Sequence, residues 1–273
     1  MALYTVFGGR GFIGSEIVGQ LEAQGHSTFV PVRDDCTVFE RDLGIVIYCA
    51  GNGDCKNSPF SVFEANVTLL ANLLQKAHFD RLIYVSSTRL YMNGISSNEQ
   101  ANLTVCVNDN RRLFNLTKLV AEELCLNSGR NVCIVRPSNV YGVALNSALF
   151  LPSIIRNAIN NGKVDMFITK DYAKDYVSVL DVASVVISLV QSNNTAGEIF
   201  NVAAGYNISA EKIADLLVEK TNCSIVWHDI NSQGELFPIT DISKLVDFMP
   251  DFKPKDVLFD FANMIDMYKA ALT

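Results

Sequence analysis

Leu3-Tyr4-Thr5-Val6-Phe7-Gly8-Gly9-Arg10-Gly11-Phe12-Ile13-Gly14 stands near the start of the chain and decides its fold. An apolar, β-rich run leads directly into Gly9-x-Gly11-x-x-Gly14, and the residues that follow repeat apolar side chains with helical spacing. Glycines let the backbone turn sharply and approach a pyrophosphate, while the amino end of the next helix faces the anion. The stretch therefore predicts a strand, turn and helix that bind a dinucleotide, in preference to a plain tight turn.

Composition limits the kinds of protein that these 273 residues can form. Apolar residues make up 49% of the chain, but charges interrupt every apolar run well before the ~20 residues of a membrane span. A net charge of −7, without a run of Lys or Arg, argues against a nucleic-acid partner. We therefore expect a globular protein without membrane or nucleic-acid partners. Because the first strand begins almost at Met1, without a signal peptide, we also expect a cytoplasmic location.

Cysteine and histidine usage predicts neither disulfides nor a metal site. The seven cysteines include no C-x-x-C pair, which favours reduced and mostly buried thiols. The three histidines, His26, His78 and His228, lie far apart and lack the spacing of metal ligands.

Two arginines favour NADP over NAD as the cofactor. A second strand is expected over 27–32, and an NAD enzyme usually has a carboxylate at its end, where this chain has Val32. Arg33 follows at once, and Arg10 lies inside the glycine turn; both could bind a ribose 2′-phosphate. The alternative is that both are surface arginines paired with acidic neighbours, namely Asp34, Asp35 or Glu40.

Alternating strands and helices predict a mostly parallel sheet with helices on both faces. In the first half we expect strands at 36–39, 44–51 and 81–87, helices at 60–77 and 112–126, a loop at 92–110 and a strand at 132–136. Past Pro137 the rhythm changes, with helices at 152–160, 181–191, 209–221 and from Leu258, and strands near Met166 and at 176–179, 199–202 and 224–228. We expect a doubly wound sheet over 1–140 and a smaller mixed α/β substrate lobe over 141–273, interwoven with it.

Motifs along nearly the whole chain strengthen this interpretation. They are 8–14, Cys49-Ala50-Gly51, Asn66-Val67, 85–91, 117–122, 136–142, 174–183 and 199–202. In combination they resemble the extended short-chain dehydrogenase/reductase family of nucleotide-sugar epimerases, dehydratases and reductases. The resemblance implies an α/β fold with a Rossmann-type doubly wound parallel sheet. Residues 233–238 also resemble the segment that precedes the family's last strand and helix.

The resemblance also implies the residues of the binding site. The cofactor-binding positions are Gly8, Arg10, Gly11, Phe12, Ile13, Gly14, Arg33, Cys49, Ala50, Gly51, Asn66, Ser86, Lys118, Pro137 and Val140. The substrate positions are Ser138, Asn139, Asn146 and Lys174. Lys174 stands where the family usually has an arginine for a diphosphate, and Leu149 stands where it has an asparagine, although Asn146 is close. A bland alternative pairs Lys174 with Asp171 or Asp175 at the surface.

The catalytic positions match the family only in part. The family uses a strand-end hydroxyl and a Y-x-x-x-K pair, in which the lysine lowers the pKa of the phenol. Ser87 and Lys118 match, but Phe114 stands at the tyrosine position. Three hypotheses remain open. The acid or base could be Tyr91, Ser87 or a residue of the 92–110 loop, the reaction could need no phenol, or the protein could be a non-catalytic NADP(H)-binding regulatory or assembly subunit.

The sequence thus predicts an NADP-dependent enzyme that modifies a nucleoside-diphosphate sugar with an atypical active site. The resemblance further implies a homodimer formed through the helices at 60–77 and 112–126. Both helices are apolar on more than one side, which gives this pairing a physical reason. The alternative is that these apolar residues are covered within the monomer.

Overall fold

The structure is a computed structural model that describes residues 2–147, 149–228 and 235–272. In chain order its strands are β1 (Leu3–Phe7), β2 (Ser27–Phe29), β3 (Ile45–Tyr48), β4 (Arg81–Val85), β5 (Val132–Pro137), β6 (Asn139–Tyr141), β7 (Lys163–Met166), β8 (Ala173–Ser178), β9 (Ile199–Val202), β10 (Asn207–Ser209) and β11 (Ser224–Trp227). Its α-helices are α1 (Phe12–Ala23), α2 (Pro59–Phe63), α3 (Leu69–Lys76), α4 (Arg112–Asn127), α5 (Phe150–Asn161), α6 (Val179–Gln191), α7 (Ala210–Thr221), α8 (Ser243–Phe248) and α9 (Val257–Leu272). None of these helices is both long and apolar enough to span a bilayer within the part of the chain that the structure describes.

The large sheet is parallel, and its described strands run in the order β2-β1-β3-β4-β5-β9. β4 and β5 are buried along their whole length because helices cover both faces of the sheet. On one face α1 and α6 pack through residues such as Ile17 and Val182. On the other face α3 and α4 contribute Leu70 and Ala121 to a second core. The doubly wound parallel sheet is confirmed.

The order of the strands determines where a ligand can bind. β2 lies on one side of β1 and β3 lies on the other, so the direction of winding reverses at β1. Open parallel sheets bind ligands at such a switch point, outside the carboxyl ends of the strands. Because the glycine turn follows β1 directly, the fold places it at this edge.

A smaller lobe covers this edge. Strands β10-β8-β6 form one small sheet, and β11 pairs with β7. The lobe's core is built largely from α5, α7 and α9, with Leu217, Phe261 and Tyr268 among its buried side chains. Between these segments the chain returns to the large sheet as α6 and β9, so the second half of the sequence contributes to both lobes.

Two short segments differ from the sequence-based expectation. Residues 36–39 form a 3-10 helix, Cys36–Phe39, rather than a strand, because the Asp35 carboxylate accepts a hydrogen bond from Thr37 N (3.0 Å) and caps the turn. β3 is therefore the third strand of the chain and not the fourth. β2 ends at Phe29 rather than at residue 32, shortly before Pro31, which has no N–H to offer a neighbouring strand.

The expected helix at 60–77 is interrupted by a π-helical turn, Glu64–Thr68, between α2 and α3. Asn66 lies in this turn and is fully buried. Such turns are often found at functional sites, because they re-aim side chains that a regular helix would point elsewhere. The turn at 64–68 thus explains how a helix of the large lobe presents an amide to the loop that follows β3.

Candidate active site

The glycine turn after β1 has a geometry that only glycine allows. Gly8 has a φ of +78°, and a Cβ at this position would lie 2.7 Å from Ala50 N. A Cβ on Gly14 would overlap the carbonyl oxygen of Gly8. No side chain caps the amino end of α1, and its first turn contains no acidic residue. The amino end of α1 can therefore bind an anion.

A cleft of about 720 Å³ runs from this turn along the carboxyl ends of the strands to the smaller lobe. The cofactor positions that line it are Gly8, Gly11, Phe12, Ile13, Gly14, Cys49, Gly51, Ser86, Lys118, Pro137 and Val140. The substrate positions Ser138, Asn139 and Lys174 line it as well, together with Ser87 and Phe114. The fold thus collects most of the residues that the sequence indicated at one place.

Asn66 lies behind the cleft and positions its wall. Its Oδ1 accepts a hydrogen bond from Asn52 N (3.0 Å), and its Nδ2 donates to Asn52 O (3.1 Å) and Thr117 Oγ1 (2.9 Å). These bonds hold the loop that follows β3 against α4. Ala50, in the same loop, also lies outside the lining, next to Gly8.

Arg10 and Arg33 lie near the end of β2 rather than in the lining of the cleft. The Arg10 guanidinium donates to Pro31 O (3.2 Å) and Val30 O (3.3 Å). Arg33 is exposed and makes no hydrogen bond or ion pair with another described residue. Neither arginine pairs with Asp34, Asp35 or Glu40, so both guanidinium charges lack a carboxylate partner among the described residues.

Lys118 is a buried cation at the centre of the cleft. Its Nζ donates to Val85 O (2.9 Å) and lies 4.8 Å from the centre of the Tyr84 ring. Burial lowers the pKa of Lys118 to about 8, whereas burial raises the pKa of the Cys49 thiol to about 12. Lys118 can therefore gain or lose a proton near neutral pH, and Cys49 stays protonated.

Phe114 occupies the cleft one helical turn before Lys118. The centre of its ring is 5.7 Å from Lys118 Nζ. The ring can neither donate nor accept a proton, so the ammonium has no phenol to act on at this position. Ser87 remains as a cleft hydroxyl, and its Oγ accepts a hydrogen bond from Arg89 N (3.1 Å).

Tyr91 does not reach the cleft. It is 2% exposed, its hydroxyl donates to Asn201 Oδ1 (2.8 Å), and it accepts a hydrogen bond from Arg136 (2.6 Å). Arg136 in turn pairs with Glu122 at 2.5 Å. The hydroxyl of Tyr91 thus links β5 to β9, and Tyr91 is not among the residues that line the cleft.

The substrate positions differ in how they are held. Ser138 donates to Asp175 Oδ1 (2.6 Å), and Asn139 Nδ2 donates to Asp175 O (2.7 Å). Asp175 also accepts backbone N–H bonds from residues 204–206. Asp175 therefore links β8 with the segment after β9 and is not a partner for Lys174. Asn146 does not line the cleft, whereas Leu149 does.

A cluster of charged side chains lies beside the cleft, and the sequence did not predict it. Arg89 pairs with Asp109 (2.8 Å) and with Glu235 (2.7 Å), and Glu235 also lies 3.6 Å from Lys174 Nζ and accepts from Tyr172 (2.9 Å). Burial opposes the ionisation of Glu235, but Arg89 and Lys174 overcome it and lower its pKa to about 2. These residues come from distant parts of the chain, so no spacing in the sequence could have revealed the cluster. Residues 233 and 234, which precede it, lie outside the described residues.

One further observation supports the binding of a dinucleotide in the cleft. Ser86 is 5% exposed and lines the cleft, yet its Oγ has no hydrogen-bond partner among the described residues. Buried hydroxyls are normally paired, so Ser86 Oγ is available to a ligand. No group of three or more His, Cys, Asp or Glu residues in the described ranges could hold a metal ion.

Comparison with known proteins identifies a matching family model and a relative that matches part of the chain. A model of the NAD dependent epimerase/dehydratase family matches residues 4–203. The GDP-6-deoxy-D-talose 4-dehydrogenase of Aggregatibacter actinomycetemcomitans is 28% identical over 109 residues, which are 40% of this chain but only 35% of that protein. The match thus spans about a third of that relative's length.

Solved structures resemble the whole chain in fold. MoeE5, solved with UDP-glucose and NAD, superposes with a TM-score of 0.85 at 18% identity, covering 99% of both chains. RMD from Pseudomonas aeruginosa, solved with NADPH, superposes with a TM-score of 0.80 at 20% identity, covering 99% of this chain and 100% of the other. The family model covers most of the chain, and the glycine turn, the buried Lys118 and the residues that line the cleft all lie within the matched residues. The chain therefore belongs to the NAD-dependent epimerase/dehydratase family.

Proposed function

We propose that the protein is an NADP-dependent enzyme that modifies a nucleoside-diphosphate sugar, as a reductase, epimerase or dehydratase, without a phenol at its active site. The observation that carries this proposal is the cleft itself. It places the uncapped amino end of α1 and the Ser87 and Lys118 pair on the large lobe, facing Lys174 on the smaller one.

The cofactor residues have separable tasks in this proposal. A nicotinamide cofactor, when bound, supplies hydride transfer. The glycine turn and the amino end of α1 would hold its pyrophosphate, and Ser86 Oγ and Lys118 Nζ would hold the end nearest the chemistry. Arg10 and Arg33, without carboxylate partners, would hold a 2′-phosphate, which favours NADP.

Two protein groups in the cleft can carry a proton. Lys118 Nζ titrates near neutral pH because it is buried, and Ser87 Oγ is a hydroxyl at the end of β4. Both lie on the large lobe, and Lys118 Nζ is 5.7 Å from the centre of the Phe114 ring. We assign proton transfer to this pair, since Tyr91 is engaged elsewhere.

The substrate would be held mainly by the smaller lobe. Lys174 is 19% exposed and lines the cleft, where a diphosphate could replace or join its contact with Glu235. UDP-glucose in MoeE5 and the GDP-sugar in the name of the Aggregatibacter relative support a nucleotide sugar as the substrate class.

Phe114 favours a second candidate function. If no protein group replaces the phenol, the chain would bind NADP(H) and a sugar nucleotide without converting them, as a regulatory or assembly subunit. Measurements of binding and of turnover on the same preparation distinguish the enzyme from the non-catalytic subunit. Calorimetric titration with NADPH and UDP-glucose tests binding, and mass spectrometry of sugar nucleotides incubated with cofactor tests conversion.

We also propose that two copies associate through the surface formed by α2, α3 and α4. Apolar side chains remain exposed on it, with Phe60 89%, Val120 45% and Leu124 37% accessible. A groove of about 750 Å³ runs between α3 and α4. A second copy would bury this surface.

All seven cysteines are free thiols, which supports a cytoplasmic location.

A further inference from the structure

The carboxylate of Glu235 lies in a site that is built to bind an anion. It accepts hydrogen bonds from Arg89 (2.7 Å) and from the hydroxyl of Tyr172 (2.9 Å), and it lies 3.6 Å from Lys174 Nζ. Burial opposes the ionisation of Glu235, but these groups lower its pKa to about 2, so the carboxylate is charged throughout the neutral range. A side chain of the protein itself thus occupies a preformed anion site between the two lobes.

Two of the three groups that hold Glu235 belong to the cleft. Tyr172 and Lys174 line it, whereas Glu235 is not among the lining residues. Lys174 Nζ also lies 4.9 Å from the centre of the Tyr172 ring, which keeps the ammonium beside the phenol. The lining residues within the described part of the chain include no carboxylate, and they include three cations, Arg111, Lys118 and Lys174. An anion in the cleft can therefore reach the same two donors that Glu235 holds.

The backbone next to Glu235 is held independently of its carboxylate. Leu236 O accepts from Asn93 N (2.8 Å), and Leu236 N donates to Asn93 Oδ1 (2.7 Å). Phe237 O accepts from Asn207 Nδ2 (3.0 Å). Asn93 belongs to the large lobe and Asn207 to the smaller one, so these bonds join the segment to both lobes. The carboxylate can therefore exchange its two partners in the smaller lobe while these backbone contacts stay in place.

We propose that the diphosphate of the substrate displaces Glu235 from Tyr172 and Lys174, so that Glu235 is a competing anion that limits the affinity of the cleft and Tyr172 is a further substrate-binding residue. This inference rests on the nucleotide-sugar function proposed above. Arg89 would keep the displaced carboxylate, while the phosphate oxygens accept from the phenol and the ammonium together. Removing the charge of Glu235 removes both the competitor and a like charge beside the diphosphate. A sugar nucleotide should then bind about 3- to 30-fold more tightly.

The test measures the Kd of UDP-glucose and of GDP-mannose by calorimetry, with NADP present, in wild type and Glu235→Gln. Glutamine keeps the shape of the side chain and can still accept from Arg89, but it carries no charge. The variant should bind at least one of the two ligands about 3- to 30-fold more tightly and should leave the Kd of NADP alone within about twofold. Its ligand-free form should be less stable than wild type in thermal unfolding, because Arg89 and Lys174 lose a negative partner. Adding Tyr172→Phe to Glu235→Gln should weaken sugar-nucleotide binding by at least about threefold, since the phosphate then loses a donor.

Glu211→Gln is the matched control, because it removes the same charge from an exposed pair with Lys170 (3.1 Å) on the smaller lobe, away from the lining of the cleft. It should leave every affinity unchanged. Thermal unfolding shows whether each variant is folded, and Glu235→Ala, for which the same tightening is expected, is the second variant.

Three results would overturn the inference and leave the nucleotide-sugar function standing. They are unchanged or weaker sugar-nucleotide binding without the charge of Glu235, an equal tightening of NADP, and an equal tightening in Glu211→Gln. An affinity that Tyr172→Phe leaves unchanged would overturn the role of Tyr172. Binding of neither sugar nucleotide by any form of the protein would overturn both the inference and the proposed function.

Discussion

Replacing Lys118 by methionine should stabilise the ligand-free protein at pH 7. The Lys118 side chain is 5% exposed, and burial lowers its pKa from 10.5 to about 8. The unfolded chain therefore binds more protons than the folded one between these values, and the stability of the wild type rises with pH through that window. At pH 7 Lys118 is charged in both states, so the fold carries the full cost of burying the ammonium.

The magnitude follows from the same two values. The difference between 10.5 and about 8 corresponds to ~3 kcal/mol at pH 7. Methionine keeps the apolar stem but loses the hydrogen bond to Val85 O, which costs about 1 kcal/mol. The net gain is about 2 kcal/mol, or roughly 4 to 8 °C in Tm for a protein of this size.

Urea unfolding of Lys118→Met and of wild type at pH 7 and pH 9, without cofactor, measures this effect. The advantage of the variant should shrink by about 1 kcal/mol at pH 9, as the wild-type lysine loses its proton in the fold. Lys212→Met, at an exposed position on α7, is the control and should change stability little at either pH. A variant that is less stable than wild type at pH 7, or an advantage that is the same at both pH values, would refute the reasoning.

Three further predictions concern the cofactor, the assembly and Tyr91. NADPH should bind at least about tenfold more tightly than NADH by fluorescence titration, and Arg33→Ala should remove most of that preference; equal affinities in the wild type would contradict it. Light scattering at micromolar concentration should show a dimer that Val120→Asp dissociates and that Val218→Asp, at an exposed position of α7, leaves intact; a monomeric wild type would reject the interface. Tyr91→Phe should lower the free energy of unfolding by about 1 to 3 kcal/mol, because Arg136 and Asn201 lose a buried hydrogen-bond partner. The same variant should leave the dependence of turnover on pH unchanged. If one side of the pH profile disappears instead, Tyr91 takes part in proton transfer.

The sequence predicted the large sheet because its signals are local. The run 3–14 contains a strand, a turn that needs glycine and a helix start, and each of these depends only on neighbouring residues. The same holds for most of the later strands and helices. The strand predicted at 36–39 was wrong. The Asp35 side chain accepts a hydrogen bond from Thr37 N and caps a helical turn, which outweighs the β-like composition of so short a stretch.

The cluster around the cleft could not be predicted for the opposite reason. The contact of Arg89 with Glu235 joins residues 146 positions apart, and no periodicity encodes such a pair. Tyr91 follows the serine strand, and only the tertiary hydrogen bonds of its hydroxyl show that it points away from the cleft.

The central claim is that this cleft converts a nucleotide sugar without a phenol at position 114. The most direct measurement is turnover of a panel of neutral and acidic sugar nucleotides with NADP or NADPH, followed by absorbance at 340 nm and by mass spectrometry and NMR of the products, in wild type and Phe114→Tyr. We predict that the wild type converts at least one of them and that Phe114→Tyr changes the rate by less than about tenfold, whereas a missing acid would be worth about 10² to 10⁴. Binding of cofactor and sugar nucleotide without conversion by the wild type, or activity that only Phe114→Tyr shows, would contradict the claim.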